Sequence, residues 1–203
     1  PLYDFARAVS GGLADVALLI SPGAEVHSFD PTAQDIMKIQ NCDVFVYVGG
    51  RNDAWVDTVL GSMDMSGKKV VRLMDAVTPV EEEIVEGMQD RGHDDERGRE
   101  GYDEHIWTSP GNAMLMVDAV ARAMGEADSV NAESYLKNAA AYKAQIQEID
   151  ERIRAVVEGA AHRLIVVADR FPFRYLTEQY GLDYMAAFSG CSAESDVSAG
   201  TLA

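Results

Sequence analysis

Two histidines stand in loops that could supply imidazole ligands to a single metal ion. His27 lies between a Pro-Gly pair and an Asp-Pro-Thr helix start, just after an apolar segment that predicts a strand. His105 lies in segment 102–110, between a charged stretch and a Ser-Pro helix start. Neutral imidazole is the commonest side-chain ligand of zinc. Together the two loops predict half of a tetrahedral zinc site, although a single loop histidine is more often a surface or capping residue.

Carboxylates accompany both histidines. Glu25 stands two residues before His27, and Glu104 adjoins His105. Either carboxylate could orient an imidazole or occupy a coordination position, and the alternative interpretation is an exposed loop acid. A zinc-dependent hydrolase with one of them as general base is a second hypothesis. We assign no catalytic residue, because the sequence contains no HExxH pair, nucleophile elbow or triad spacing.

The elements that must position these loops alternate between strand and helix in the first part of the chain. Short apolar runs predict strands, and apolar residues three or four apart predict helices. The predicted strands are 16–20, 43–47 and 70–74, and the predicted helices are 2–9, 31–40 with Asp30 as N-cap, and 55–63. This order predicts an α/β fold with a parallel sheet and crossover helices. Ligands of such sheets bind beyond the carboxyl ends of the strands.

A long helix separates this part from a second α/β unit. Its apolar residues at threes and fours run from residue 132 to 161 without an internal Gly or Pro. A helix opened by Ser109-Pro110 precedes it, and a strand, a helix and a strand follow at 164–167, 173–180 and 184–188. The predicted organisation is an N-terminal lobe at 1–127, a connecting helix at 128–161, and an unfinished C-terminal lobe at 162–203.

Composition narrows the classes of partner. The 203 residues include 34 acidic and 17 basic side chains, for a formal net charge of −17. Such a surface repels nucleic acid and anionic lipid, and it either keeps the protein in solution or weakly attracts cations.

No run of about 18 apolar residues occurs, so no transmembrane helix is predicted. Cys42 is expected to be a small buried residue, whereas the pairing of Cys191 stays open. The abrupt first and last residues lead us to expect a processed or truncated piece.

Several stretches resemble one family of proteins. PGAEVHSFDPTAQDIMKIQNCDVFVYVGG, followed by WVDTVL, resembles the solute-binding proteins of zinc and manganese ABC transporters. DEHIWTSPGNA resembles the second ligand segment of that family. YLKNAAAYKAQIQEID resembles its long backbone helix, and YLTEQYGLDYMAAF resembles the entry to its C-terminal lobe. The resemblance covers nearly all of the chain, and the order and spacing of the pieces make it specific.

The resemblance implies two α/β lobes joined by a rigid helix, with one metal ion in the cleft between them. His27 and His105 would be the ligands from the first lobe. Two imidazoles favour Zn²⁺ over calcium or magnesium, and Mn²⁺ stays open. The family is extracytoplasmic, in the periplasm or at the cell surface, and delivers the ion to an ABC permease. Its membrane attachment would be a lipid anchor outside this chain. A surface adhesin with the same fold is another hypothesis.

The chain departs from the family pattern in the second lobe. Arg170 stands where many members carry a third histidine. Arginine stays protonated and cannot ligate a cation. The neighbouring Asp169 could serve as a hard oxygen ligand, or it could be a helix cap or a partner of Arg170. The remaining ligands are therefore expected to be Asp169 or residues beyond Ala203.

Overall fold

The computed structural model describes residues 1–21, 29–83, 85 and 101–189. These residues form α-helices, two short 3₁₀ helices and strands that pair in parallel. The helices are α1 (Leu2–Ser10), α2 (Ala33–Asn41), α3 (Ala54–Gly61), α4 (Pro110–Ala127), α5 (Ala132–Glu158) and α6 (Arg174–Tyr180). The strands are β1 (Val44–Tyr47), β2 (Lys69–Arg72), β3 (Leu164–Phe171) and β4 (Asp183–Ser189). The 3₁₀ helices are Leu73–Ala76 and Ile106–Thr108.

Strands β1 and β2 form a parallel pair whose register runs from Val44 opposite Lys69 to Tyr47 opposite Arg72. The crossover between them contains α3, as parallel pairing requires. Ile39, Phe45 and Val56 are buried together where α2, β1 and α3 meet. This arrangement confirms the predicted α/β fold with a crossover helix in this part of the chain.

The larger core lies among α1, α4 and α5, with the residues after β2 packed against it. Val9, Met116 and Val117 are fully buried there, and Tyr135 of α5 is 1% exposed. Helix α4 begins at Pro110, as the Ser-Pro signal predicts, because the Ser109 hydroxyl accepts the Asn112 N–H at 3.1 Å and caps the helix. The Ser109 cap thus fixes the start of α4, a few residues after His105.

The long helix is real but differs from its prediction in two respects. It has 27 residues, which gives a length of about 40 Å. It ends at Glu158 rather than at residue 161. Leu136 and Ile149, which the periodicity places on the buried stripe, are 59% and 50% exposed, whereas Asp150 is 6% exposed. Polar partners from other elements cover Asp150, and no periodicity reveals them.

Strands β3 and β4 form a second parallel pair, with α6 in the crossover. Their register shifts between Val167 and Arg170, which indicates a bulge or irregularity at Ala168 and Asp169. The strand-helix-strand order predicted here is confirmed. The division into lobes at residues 127 and 161 stays a prediction.

Three local predictions are wrong. Residues 16–20, all within the described part of the chain, are irregular rather than a strand, and Leu18 is 43% exposed. A short apolar run forms a strand only where a neighbouring strand pairs with it, and the described sheet of this part consists of β1 and β2. Helix α2 is capped by Thr32 in a capping box with Asp35, not by Asp30. Cys42 is half-buried rather than buried, and its thiol donates to the Ile39 carbonyl at 3.1 Å.

Across the described residues, no helix combines the length and the apolar character that crossing a membrane requires.

Candidate metal centre

His105 lies in a segment whose polar side chains are buried. Asp103, Glu104 and His105 are 2%, 7% and 8% exposed, respectively. Charged side chains are rarely buried this deeply unless other groups satisfy them. The segment leads directly into the 3₁₀ helix Ile106–Thr108, and the Thr108 hydroxyl donates to the His105 carbonyl at 2.8 Å. His105 is therefore a buried residue rather than a surface loop histidine.

The Asp103 carboxylate orients the His105 ring. Its Oδ1 atom lies 3.0 Å from His105 Nδ1 and accepts the His105 backbone N–H at 2.7 Å. A carboxylate at Nδ1 favours the tautomer with the proton on that nitrogen, which places the lone pair on Nε2. The Trp107 ring contacts the imidazole edge to face, with centroids 5.5 Å apart. This carboxylate–histidine arrangement is the one that metal-binding histidines commonly use.

Glu104 joins the same segment to the loop after β1. One of its oxygens accepts the Asn52 backbone N–H at 3.1 Å, and the other accepts the Asn52 side-chain amide at 2.6 Å. The close approach requires a glycine at position 50, because a Cβ there would lie 2.3 Å from the Glu104 carboxyl carbon. The interpretation of Glu104 as an exposed loop acid is wrong. Both oxygens already accept hydrogen bonds, which disfavours Glu104 as a general base.

A further acid lies in the loop that holds Glu104. Asp53 accepts the Gly49 backbone N–H at 2.8 Å. Burial raises the pKa of Asp53, and the nearby negative charge of Glu104 acts in the same direction. Asp53 and Glu104 therefore place two carboxyl groups at the same loop, next to the His105 segment.

Tyr175 of α6 binds the backbone at the start of the His105 segment. Its hydroxyl donates to the Asp103 carbonyl at 2.8 Å and accepts the Val80 N–H at 3.1 Å. The Asp103 N–H in turn donates to the Val80 carbonyl at 3.0 Å. Burial raises the pKa of Tyr175 to about 12, so its hydroxyl stays protonated and keeps both hydrogen bonds at neutral pH.

His27 and Glu25 lie outside the described residues, so the predicted convergence of His27 with His105 stays a prediction. Phe29 is described, and its ring contacts Trp55 with centroids 5.5 Å apart. Trp55 lies in the first turn of α3, three residues after the Asn52 that binds Glu104. The chain two residues after His27 and the residue before His105 thus contact the same loop and helix.

The second-lobe candidate has a different environment. Asp169 is exposed, and its carboxylate accepts the Arg170 backbone N–H at 2.7 Å. The residue lies within β3, at the register shift, so the helix-cap interpretation is wrong. Arg170 is half-buried. Its interpretation as the residue in place of a third histidine stays a prediction.

The described residues do not complete a ligand set. No group of three or more His, Cys, Asp or Glu side chains within them has the geometry to hold a metal ion. Cys191, whose pairing the sequence leaves open, also lies outside the described part. The described contribution to the site is therefore His105 with its supporting carboxylate.

Sequence reasoning missed the residues that support His105. Asp103 had a local signal, since an acid two residues before a candidate histidine can reach its ring nitrogen. Asn52 and Tyr175 were not candidates, because nothing local shows that they meet this segment. The contacts of Asn52 and Tyr175 with this segment span 52 and 72 residues of sequence. Only the folded chain reveals them.

Comparison with known proteins places these features in a family. The whole chain, residues 1–203, matches the family described as zinc-uptake complex component A, periplasmic (ZnuA). The zinc-binding lipoprotein AdcA of Streptococcus pneumoniae is 34% identical over 209 aligned residues, which cover 100% of this chain and 40% of AdcA. The names of AdcA and the family describe zinc binding and uptake rather than a catalysed reaction.

Solved structures of metal-binding lipoproteins match the fold of this chain. The Zn(II)-bound structure of S. pneumoniae AdcA matches with a TM-score of 0.79 at 29% identity, over 100% of this chain and 40% of that one. The metal-dependent lipoprotein YcdH of Bacillus subtilis matches with a TM-score of 0.81 at 28% identity, over 100% of this chain and 69% of that one. The chain thus spans about two fifths of AdcA, the curated relative it matches. From the buried His105 segment, the parallel sheets and the match over its whole length, we conclude that this chain belongs to the ZnuA family.

Proposed function

We propose that this chain is part of an extracytoplasmic solute-binding protein that captures a divalent transition metal and delivers it to an ABC permease. His105 would be one ligand and His27 a second. The observation that carries the proposal is the Asp103 carboxylate 3.0 Å from Nδ1 of the buried His105. Such a pair prepares an imidazole for a metal ion and raises its basicity as a ligand.

The convergence of the two histidines has independent support. Phe29, next but one to His27, packs on Trp55, while Glu104, next to His105, binds Asn52. Because Asn52 and Trp55 belong to one loop and helix start, described neighbours of both histidines contact one small region. An imidazole from each loop could therefore reach a common ion at the carboxyl end of β1.

Zinc is the preferred ion. Imidazole ligands suit zinc better than the hard cations calcium and magnesium. The AdcA relative is named as a zinc-binding protein, and the matched family is named for zinc uptake. Manganese stays as the alternative cargo, because carboxylates could complete the coordination shell. We do not assign a ligand role to the exposed Asp169, and the remaining ligands would come from outside the described residues.

The connection between the two proposed lobes would be stiff. We propose that α5 connects two lobes, with the boundaries near residues 127 and 161. A continuous helix of 27 residues packed on α4 and α1 resists bending, so metal capture should involve modest movement rather than wide closure. A lipid anchor outside this chain would hold the protein at the membrane, as the names of its lipoprotein relatives suggest.

Zinc titration against a chromophoric chelator tests the proposal. His27→Ala and His105→Ala should each weaken zinc binding by at least about tenfold, since each removes a ligand. His162→Ala is the matched control, because His162 is exposed and lies beyond the end of α5. Parent-like affinity in both test variants would place the site elsewhere. Zinc-dependent hydrolysis of model esters or peptides by the parent would favour the hydrolase hypothesis instead.

A further inference from the structure

Helix α6 contacts the chain both before and after His105. Tyr175 and Gln179 are four residues apart, so they lie on the same face of the helix. Tyr175 donates to the Asp103 carbonyl, two residues before His105. Gln179 accepts a hydrogen bond from the Ser109 hydroxyl and another from the Gly111 N–H at 3.1 Å, after His105. One helical face thus spans the segment that carries the candidate ligand.

The C-terminal end of α6 also binds Asp150 of the long helix α5. The Gln179 amide donates to Asp150 Oδ1 at 2.6 Å, and the Tyr180 hydroxyl donates to the same oxygen at 2.7 Å. Arg154 pairs with the other Asp150 oxygen at 3.3 Å. Asp150 is buried at 6% exposure, so each of these bonds compensates a carboxylate that has lost water. Buried polar networks of this kind hold their members in one arrangement.

These contacts cross the predicted boundary between the lobes. Helix α6 is the crossover of the β3–β4 sheet, whereas the His105 segment follows the elements of the first lobe. Of the α6 side chains involved, Tyr175 and Tyr180 are buried, at 3% and 6% exposure, and Gln179 is half-buried. A shift of α6 relative to His105 would break hydrogen bonds at Asp103, Ser109 and Gly111 together.

We propose that α6 is a positioning element for the metal site, in which Tyr175 and Gln179 set the place of His105 and transmit metal occupancy to the β3–β4 sheet. The inference rests on the proposed function, since it assigns a role toward the ion that His105 binds. Tyr175 and Gln179 do not touch the ion. They act by fixing the backbone on either side of the ligand.

The test uses zinc chloride as the probe, the full-length protein, and the variants Tyr175→Phe, Gln179→Met and the double variant. Each single change removes hydrogen bonds to the segment and keeps much of the side-chain volume. Zinc dissociation, followed by transfer to a chromophoric chelator, should be faster by about tenfold in each single variant. Tyr135→Phe is the control, because Tyr135 is equally buried and loses a comparable hydroxyl bond to Asp128, in α5 away from this segment. Its dissociation rate should stay within about twofold of the parent.

Hydrogen exchange separates positioning from general stability. In the parent, saturating zinc should slow amide exchange in peptides covering residues 174–182, because α6 moves with the His105 segment. In the double variant this protection should be lost at saturating zinc, while thermal unfolding and circular dichroism show a folded chain. If Tyr175→Phe does not fold, the Gln179→Met variant alone still decides the outcome.

Two results would overturn the inference. If the parent binds zinc but α6 exchange does not respond, no coupling exists. If the variants release zinc as slowly as the parent and the Tyr135→Phe control, then Tyr175 and Gln179 serve packing only. A parent that binds no zinc would instead refute the proposed function, and this inference with it.

Discussion

The two segments that sequence reasoning selected for metal binding differ in how the fold treats them. In the His105 segment, Asp103, Glu104 and His105 are at most 8% exposed. Asn52 and Tyr175, both distant in sequence, bind Glu104 and the Asp103 carbonyl. In the β3 segment, Asp169 is exposed, and its carboxylate binds the neighbouring Arg170 N–H. Both contain an acid next to a cationic or titratable side chain, yet only one has a buried supporting network.

The comparison indicates that the His105 segment, and not the Asp169 segment, is pre-organised for metal binding. A buried ligand with oriented partners loses little conformational entropy when it binds an ion, whereas an exposed acid must give up water and rotamer freedom at that moment. The His105 segment therefore resembles a pre-organised binding site, whereas Asp169 is a solvent-exposed strand residue. Four substitutions test this contrast, with expected effects that decrease from Gly50→Ala to Asp169→Ala.

The largest effect is expected from Gly50→Ala. A Cβ at this position would lie 2.3 Å from the Glu104 carboxyl carbon, so Glu104 must leave its hydrogen bonds to Asn52. The free energy of unfolding should fall by about 1–3 kcal/mol, the usual cost of overpacking. Urea unfolding followed by circular dichroism measures it. Gly61→Ala is the matched control, because a Cβ at Gly61 meets no atom within 4 Å. Equal stability of the two variants would mean that Glu104 is not firmly held.

Asp103→Asn should weaken zinc binding by about tenfold, the lower end of the range for supporting residues of metal sites. The amide keeps the volume and can still accept the His105 N–H, but it lacks the charge that raises ligand basicity. Chelator competition measures the affinity. Asp128→Asn serves as control, since Asp128 accepts bonds from Asn131 and Tyr135, away from the His105 segment. An unchanged affinity in Asp103→Asn would remove the carboxylate–histidine pair from the mechanism.

A smaller effect, on stability and its pH dependence, is expected from Asp53→Asn. Because burial raises the pKa of Asp53, the folded chain binds this proton more tightly than the unfolded chain. The free energy of unfolding therefore falls as pH rises above the ordinary value of 3.8 and through the raised pKa. The amide removes this penalty and retains the bond from Gly49, so the variant should be more stable than the parent at pH 7 and lose that advantage near pH 3. Thermal unfolding across this range measures it.

Asp64→Asn provides a control of opposite sign. Hydrogen bonds from Ser66 lower the pKa of Asp64, so its charged form favours the folded state at neutral pH. Its contribution is present above pH 3.8 and lost as pH falls through the lowered pKa. Its amide variant should therefore be no more stable than the parent at pH 7. A gain in both variants would indicate general relief of negative charge rather than a local effect at Asp53.

The smallest effect is expected from Asp169→Ala. An exposed carboxylate that accepts a hydrogen bond from the adjacent backbone N–H contributes little, so zinc affinity should change by less than about twofold. Isothermal titration with zinc measures it, with Asp183→Ala on β4 as a control. A tenfold loss in Asp169→Ala alone would identify this acid as a ligand and would end the contrast between the two segments.

Much of the fold was predictable because it depends on local pattern. The apolar runs of β1, β2, β3 and β4 and the periodicity of α4 and α5 lie within short windows, where neighbouring side chains decide the conformation. The strand predicted at 16–20 failed for the opposite reason, since a strand needs a partner that the local sequence does not contain. Asp150 was missed in the same way, because its partners Gln179 and Tyr180 lie about 30 residues away.

The sequence by itself determined the chemistry available: an imidazole at His105, a second at His27, acids beside both, and helices and strands in an order that makes parallel sheets. Which of these acids become buried and hydrogen-bonded depends on the fold. Asp103, Glu104 and Asp169 look alike along the chain, but only the first two become buried, Asp103 beside the His105 ring and Glu104 against Asn52 of another loop. The physical reason is that burial and hydrogen bonding of a charge depend on groups far away in sequence, which meet only when the chain has folded.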